Sequence, residues 1–164
     1  MYSLFKLFSK KPPARWARRD EMPLVFNLAS ESLNGVAIED PFEKLSVFGR
    51  PSNPKPLAVE MFDYRDLGLE IGGVGGRISY FAISIRNYQG TRGEATLVTE
   101  RGTPLTLSEL TRPADVEAVL GKPFEKEIRE EEVSYRYRCK RLILLFEFDE
   151  DQLLHFEAGL EGEV

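Results

Sequence analysis

The sequence predicts an α+β fold: an antiparallel sheet of about seven to eight strands with short helices on one face, built from two helix-plus-meander repeats. Three observations predict it. Two apolar runs end in the same Gly-x-Pro signal: Phe42-x-x-Leu45-x-Val47-Phe48 at Gly49-Arg50-Pro51, and Val116-x-x-Val119-Leu120 at Gly121-Lys122-Pro123. Each is followed by a charged stretch and a Tyr-bearing segment (Phe62-Asp63-Tyr64; Tyr135-Arg136-Tyr137), then an apolar strand (Leu67 to Ile71; Leu142 to Phe148). A tight turn and a closing strand complete each copy (Ile78 to Ile85; Leu153 to Leu160). Repetition at a fixed spacing fixes an architecture before any single element is assigned. It divides the chain into a basic tail (1–20), a first repeat (21–92) and a second repeat (93–164), which together make one continuous domain.

The tail comes first. Residues 1–19 contain six Lys/Arg and no acid. Its apolar part is shorter than a secretion signal's core, is interrupted by Lys6 and precedes no small-residue cleavage site. Leu4, Phe5 and Phe8 beside Lys6, Lys10 and Lys11 suit a short amphipathic helix on an anionic membrane surface. A basic tail, or a segment packing on the body through its Leu, Phe and Trp16 side chains, is the competing reading. Pro12-Pro13 ends any helix there.

Leu24 to Ala29 reads as a strand, followed by a Gly35 loop and an apolar patch, Val36 to Ile38. Asp40 as N-cap and Pro41 at the first helical position open a helix whose Phe42, Leu45 and Phe48 share a face, and Gly49 stops it. The second copy repeats this with Arg112-Pro113, the face Val116, Val119 and Leu120, and Gly121. The glycines at 72–76 and Asp149-Glu150-Asp151 are hairpin turns. A strand, Ala95 to Thr99, begins the second copy as Leu24 to Ala29 begins the first.

Both closing strands alternate as half-buried strands do. Phe81, Ile83 and Ile85 face one way, and Tyr80, Ala82 and Ser84 the other. Leu154, Phe156, Ala158 and Leu160 form the buried set of the second strand, with His155 and Glu157 opposite. An offset of 75 aligns Phe81 with Phe156 and Tyr80 with His155.

Composition narrows the function. The chain of 164 residues is 42% hydrophobic and 30% charged, which allows a packed core and sets it apart from disordered chains. Outside residues 1–19 there remain 16 basic and 27 acidic residues, a net of −11. Such a body repels nucleic-acid phosphates and favours a protein partner with a basic surface. One cysteine and one histidine exclude an intramolecular disulfide and a Cys/His zinc cluster. No metal and no cofactor is implied.

Catalytic signals are weak. The 72–76 glycines lead into a strand, whereas a phosphate cradle leads into a helix N-terminus. His155 lies on the non-core side of its strand, where an acid-base role or a partner contact is open to it. Cys139 stands between Arg138 and Lys140-Arg141, charges that would lower its pKa. The carboxylates sit in charged runs and turns. One face of an antiparallel sheet can remain open to solvent or a partner, and Tyr80, Tyr135 or Tyr137, and His155, flanked by Arg136 and Arg138, are the candidate contacts there. Tyr and Arg are the residue types that anchor protein interfaces.

Leu-Gly-Lys-Pro at 120–123, a Tyr-bearing strand, an apolar strand and a final Leu-x-x-Phe strand resemble the repeat unit of the β-lactamase inhibitor protein family. They are also similar to the small outer-membrane assembly lipoproteins of the SmpA/OmlA kind. The resemblance covers 40–164, twice over, and implies a short helix ending at Gly-x-Pro, then a meander whose sheet face binds another protein. The chain lacks a lipobox cysteine near its start and the cysteines that staple the secreted inhibitors. Both departures point to a cytoplasmic bacterial relative.

The expectation is therefore a non-enzymatic protein-binding domain, of the immunity or inhibitor kind, that blocks a basic enzyme or toxin. The alternative is a peripheral adaptor at the inner membrane, anchored by residues 1–19. Pairing of an exposed sheet edge with a second copy of the chain leaves a homodimer open.

Overall fold

A computed structural model of the chain describes residues 12–19, 21–86 and 93–164. The fold is α+β and mostly strand, with two sheets where the sequence suggested one. The larger has seven strands, all antiparallel, in the order β4 (Met61–Tyr64), β5 (Leu69–Val74), β6 (Arg77–Ser84), β12 (Gln152–Leu160), β11 (Leu142–Asp149), β10 (Glu132–Cys139) and β9 (Glu125–Arg129). The smaller has five, in the order β3 (Val36–Ala37), β2 (Ser32–Leu33), β1 (Leu24–Asn27), β7 (Ala95–Val98) and β8 (Pro104–Leu107). The two strands expected to begin each copy, β1 and β7, pair with one another in parallel in this smaller sheet and do not join the meanders.

Alternation explains how the sheets stack. Leu24 and Phe26 of β1, Ala95 and Leu97 of β7, and Leu105 and Leu107 of β8 are buried, while the residues between them are at least partly exposed. These side chains share one core with Phe62, Tyr64, Ile71, Phe81, Phe146 and Phe156 of the larger sheet. Phe26 stands at the centre, meeting Phe81 and Phe156 edge-on at ring separations of 5.9 and 6.0 Å. Burying aromatic rings of this size, each of which removes 150–250 Å² from water, is roughly the strongest apolar contribution a side chain makes.

The two helical runs pack into the same core. Phe42–Phe48 is a 3-10 helix with Phe42, Leu45 and Phe48 buried, and Pro113–Leu120 is an α-helix, α2, with Val116 buried (α1 is the single turn Pro56–Val59). Asp40 does not cap the first of them. Its carboxylate accepts the Ala37 N–H at 2.8 Å and Lys44 Nζ at 2.7 Å, and Pro41 takes the cap position. Gly49 and Gly121 end the two helices in nearly the same conformation, φ +84° and +82°, which glycine adopts without strain.

Two features of the larger sheet correct the sequence reading. A bulge between Glu147 and Phe148 pairs Phe148 with Leu153, so Leu153 is fully buried and Leu154, expected in the core, is displaced to partial exposure. The charged stretch after Pro123 is also a strand, β9, at the sheet edge. Within the expected tail, residues 12–19 dock on the body. Trp16 stacks on Phe62 with ring centres 6.3 Å apart, Ala17 O accepts the Arg50 N–H, and Arg18 pairs with Asp66 at 3.0 Å.

Candidate functional site: the outer face of the large sheet

Residues directly opposite one another across a sheet share a face, so the register draws the outer face row by row. The middle row takes one residue from each strand: Asp63, Glu70, Ala82, Glu157, Leu145, Arg136 and Glu125. On one side lie Met61, Gly72, Tyr80, Gly159, Ile143 and Arg138. On the other lie Ser84, His155, Glu147, Ser134 and Glu127.

Of the expected contact residues, Tyr80, His155, Arg136 and Arg138 stand on this face. Tyr135 and Tyr137 do not. They point into the core at 3% and 4% exposure, where Tyr135 meets Phe148 and Tyr137 meets Phe146 edge-on, each at 5.7 Å. Alternation permitted either face for this pair, and the packing of their rings against β11 selects the inner one. Lys126 Nζ lies 5.1 Å from the Tyr135 ring centre, a cation over a π face. The expected membrane contacts Leu4, Phe5, Lys6, Phe8, Lys10 and Lys11 lie outside the described residues.

Tyr80 is the most tightly held member. Its ring covers Gly72, where a Cβ would come within 2.1 Å of Tyr80 Cε1, so this row depends on glycine at 72. Its hydroxyl donates to Glu70 Oε1 at 2.7 Å. Burial, the bond to Glu70 and the charges of Glu70, Glu157 and Glu163 together push its pKa well above the ordinary tyrosine value, so it stays a neutral donor.

The histidine and the two arginines each meet a carboxylate. His155 Nε2 lies 2.7 Å from Glu157 Oε1, both less than a quarter exposed. Arg136 reaches Glu125 at 3.1 Å, and Arg138 grips both oxygens of Glu161 at 2.8 Å. That fork raises the Arg138 pKa and lowers that of Glu161. Ile143 and Leu145, 4% and 7% exposed, lie between these arginines and β12. Across the three rows six carboxylates (Asp63, Glu70, Glu125, Glu127, Glu147 and Glu157) oppose two guanidinium groups, so the face presents a negative field. Its acidic character was within reach of the sequence: alternation through 142–148 puts Glu147 on the same side as Ile143 and Leu145, away from the core.

Cys139 behaves contrary to the expectation from its cationic neighbours. Burial, then the charge of Glu100, raises its thiol pKa. It also sits at the end of β10 opposite Leu142, whereas His155 pairs with Glu147 towards the other end of β11. The two are on opposite faces and form no nucleophile–base pair.

A groove of about 250 Å³ opens on the outer face at the β9 side, lined by Glu127, Ser134, Arg136, Leu145 and Glu147. Arg136 Nε is buried there without a hydrogen-bond partner. Two larger grooves lie elsewhere. One of about 590 Å³ is rimmed by Glu21, Asp66 and Glu94, and one of about 740 Å³ is walled by Trp16, Val36, Pro41 and Val47. Among the described residues no helix is long and apolar enough to cross a membrane.

No protein-family model matches the chain, and no curated protein does. Among solved structures the chain is similar to a DUF4309 family protein, YjgB, from Bacillus subtilis. The two are 19% identical with a TM-score of 0.50, over 79% of this chain and 84% of that one. The likeness is one of fold.

Proposed function

We propose that the chain is a non-enzymatic protein-binding domain whose docking surface is the outer face of the seven-stranded sheet, and that its partner presents a basic surface. The observation that carries this reading is the carboxylate-rich outer face. It combines a fixed tyrosine, a histidine and two arginines, none of them buried, on three strands of one sheet. Rigid aromatic and forked cationic groups bind at low entropic cost, and a negative field steers basic partners. The Trp16 and Arg18 side chains are held by Phe62 and Asp66, which favours this reading over a membrane-surface anchor built on residues 1–19. The resemblance to the inhibitor-protein repeat narrows the role to an immunity or inhibitor protein acting on a basic enzyme or toxin.

The face is also where a duplication would leave its mark. A half-turn about the Ala82–Glu157 pair carries Tyr80 onto His155, Glu70 onto Leu145 and Asp63 onto Arg136. This register supports two fused copies of one meander whose outer residues have since diverged.

The test is capture from host extract by the tagged full chain, comparing wild type with Glu147→Lys on the outer face and Thr106→Lys on the far side of the smaller sheet. Both positions are exposed. A stoichiometric basic partner kept by Thr106→Lys and lost by Glu147→Lys is the expected result. A partner held equally by all three proteins, or turnover of a small molecule in place of any partner, would overturn the reading.

A further inference from the structure

The edges of the seven-stranded sheet differ, and the difference identifies a second interaction surface. Along β4 the unpaired backbone is sealed by the preceding loop. Asn53 donates to Met61 O at 2.9 Å and accepts the Asp63 N–H at 3.0 Å, Ser52 N–H donates to Asp63 O, and Ser52 Oγ accepts the Arg65 N–H. Along β9 no hydrogen bond to the outward backbone is made among the described residues. Four of its five residues are exposed, including Ile128 at 65%. A bare edge strand is a template for another strand.

We propose that β9 pairs antiparallel with β9 of a second copy, about a two-fold axis at Ile128, joining the two large sheets edge to edge. The charge pattern selects this partner and this register. Placing Ile128 opposite the partner's Ile128 sets Glu127 against the partner's Arg129, and Arg129 against the partner's Glu127. Over residues 127–129 each opposing pair is thus apolar–apolar or opposite in sign, the arrangement that stabilises neighbouring strands, while Glu125 falls opposite the partner's turn at Glu131, outside the ladder. Centring the axis on Glu127 instead would oppose two carboxylates. Within one chain Glu127 and Arg129 already pair at 2.7 Å, so the junction becomes a closed set of four alternating charges. On the other face Ile128 is opposite Val133 of β10, and the two-fold extends this into an apolar strip across the junction. Lys126, which would otherwise guard the edge, is drawn over Tyr135.

Sedimentation velocity of the full chain from micromolar to millimolar concentration tests this. Wild type is expected to show a reversible monomer–dimer equilibrium. Arg129→Glu, which faces carboxylate with carboxylate, weakens it by roughly tenfold, and the swap Glu127→Arg with Arg129→Glu restores it. Ile128→Lys, at a position too exposed to disturb the fold, abolishes it with an unchanged melting temperature. A chain monomeric throughout, or a dimer indifferent to Ile128→Lys and to the charge swap, overturns the proposal. Neither result bears on the outer-face variant Glu147→Lys, so the two surfaces are judged separately.

Discussion

After Pro51 the chain folds back along β4 and closes it, whereas after Pro123 it runs straight into β9 and leaves an edge bare. Both segments follow a short helix, 3-10 before Gly49 and α before Gly121, with nearly the same glycine conformation and the same proline spacing. What separates them is the next few residues. Ser52 and Asn53 offer short polar side chains that bond backbone in place of a strand partner, and Pro54 and Pro56 deny the segment a ladder of its own. Phe124 to Arg129 contains neither device, and its Phe124 N–H goes to Arg136 O as β10 is joined. One flank of the sheet therefore serves stability, and the other remains available for association.

The largest expected effect separates the flanks directly. Phe62→Ala, beneath β4, removes a fully buried ring that packs on Phe42 at 4.9 Å and on Trp16. It should destabilise by about 3–5 kcal/mol in urea unfolding. Ile128→Ala on the bare flank should stay within about 0.5 kcal/mol. Equal losses at the two sites would break the comparison. Next, Gly72→Ala drives a methyl group into Tyr80 and should lose about 1–3 kcal/mol. Much of that loss should return in the double variant with Tyr80→Ala, since the clash has one identified source.

Asn53→Ala sharpens the comparison further. It leaves two β4 backbone groups without their partner and should lose about 1–2 kcal/mol, and the unsealed β4 should then self-associate in light scattering, as is proposed for β9 in the wild type. The smallest effect is one of pH. Tyr64, Tyr80 and Tyr137 have pKa values raised by burial above the ordinary 10.0, with Glu70 adding to the shift at Tyr80. A raised acid stabilises the fold fully below its unfolded pKa and loses that contribution above it. Thermal stability should therefore fall as pH rises past about 10, and less steeply in Tyr80→Phe.

Much of the large sheet was legible because its strands carry strong period-two patterns. The alternation of Phe81, Ile83 and Ile85 against Tyr80, Ala82 and Ser84 is the observed one. The second sheet was not legible as a separate layer. β2, β3 and β8 are two to four residues long, and the parallel pairing of β1 with β7 is a tertiary choice that no local pattern encodes. β9 was hidden for a related reason: Glu-Lys-Glu-Ile-Arg has one apolar residue, and an edge strand exposed on both sides needs no more. On the outer face Tyr80 and His155 followed from parity. Tyr135 and Tyr137 were decided by which side of β10 the core occupies. The bulge at Glu147 exchanged Leu154 for Leu153 in a way that simple alternation cannot anticipate.

The outer face as a docking surface is tested most directly by hydroxyl-radical footprinting of the full chain, alone and saturated with the partner that capture recovers. Tyr80 and His155 report on the face, while Val25, 37% exposed on the smaller sheet, and Leu110, 74% exposed, report on the rest of the surface. Protection of Tyr80 and His155 with Val25 and Leu110 unchanged is the expected result. Protection of Val25 or Leu110 while Tyr80 and His155 oxidise as in the free chain would contradict it.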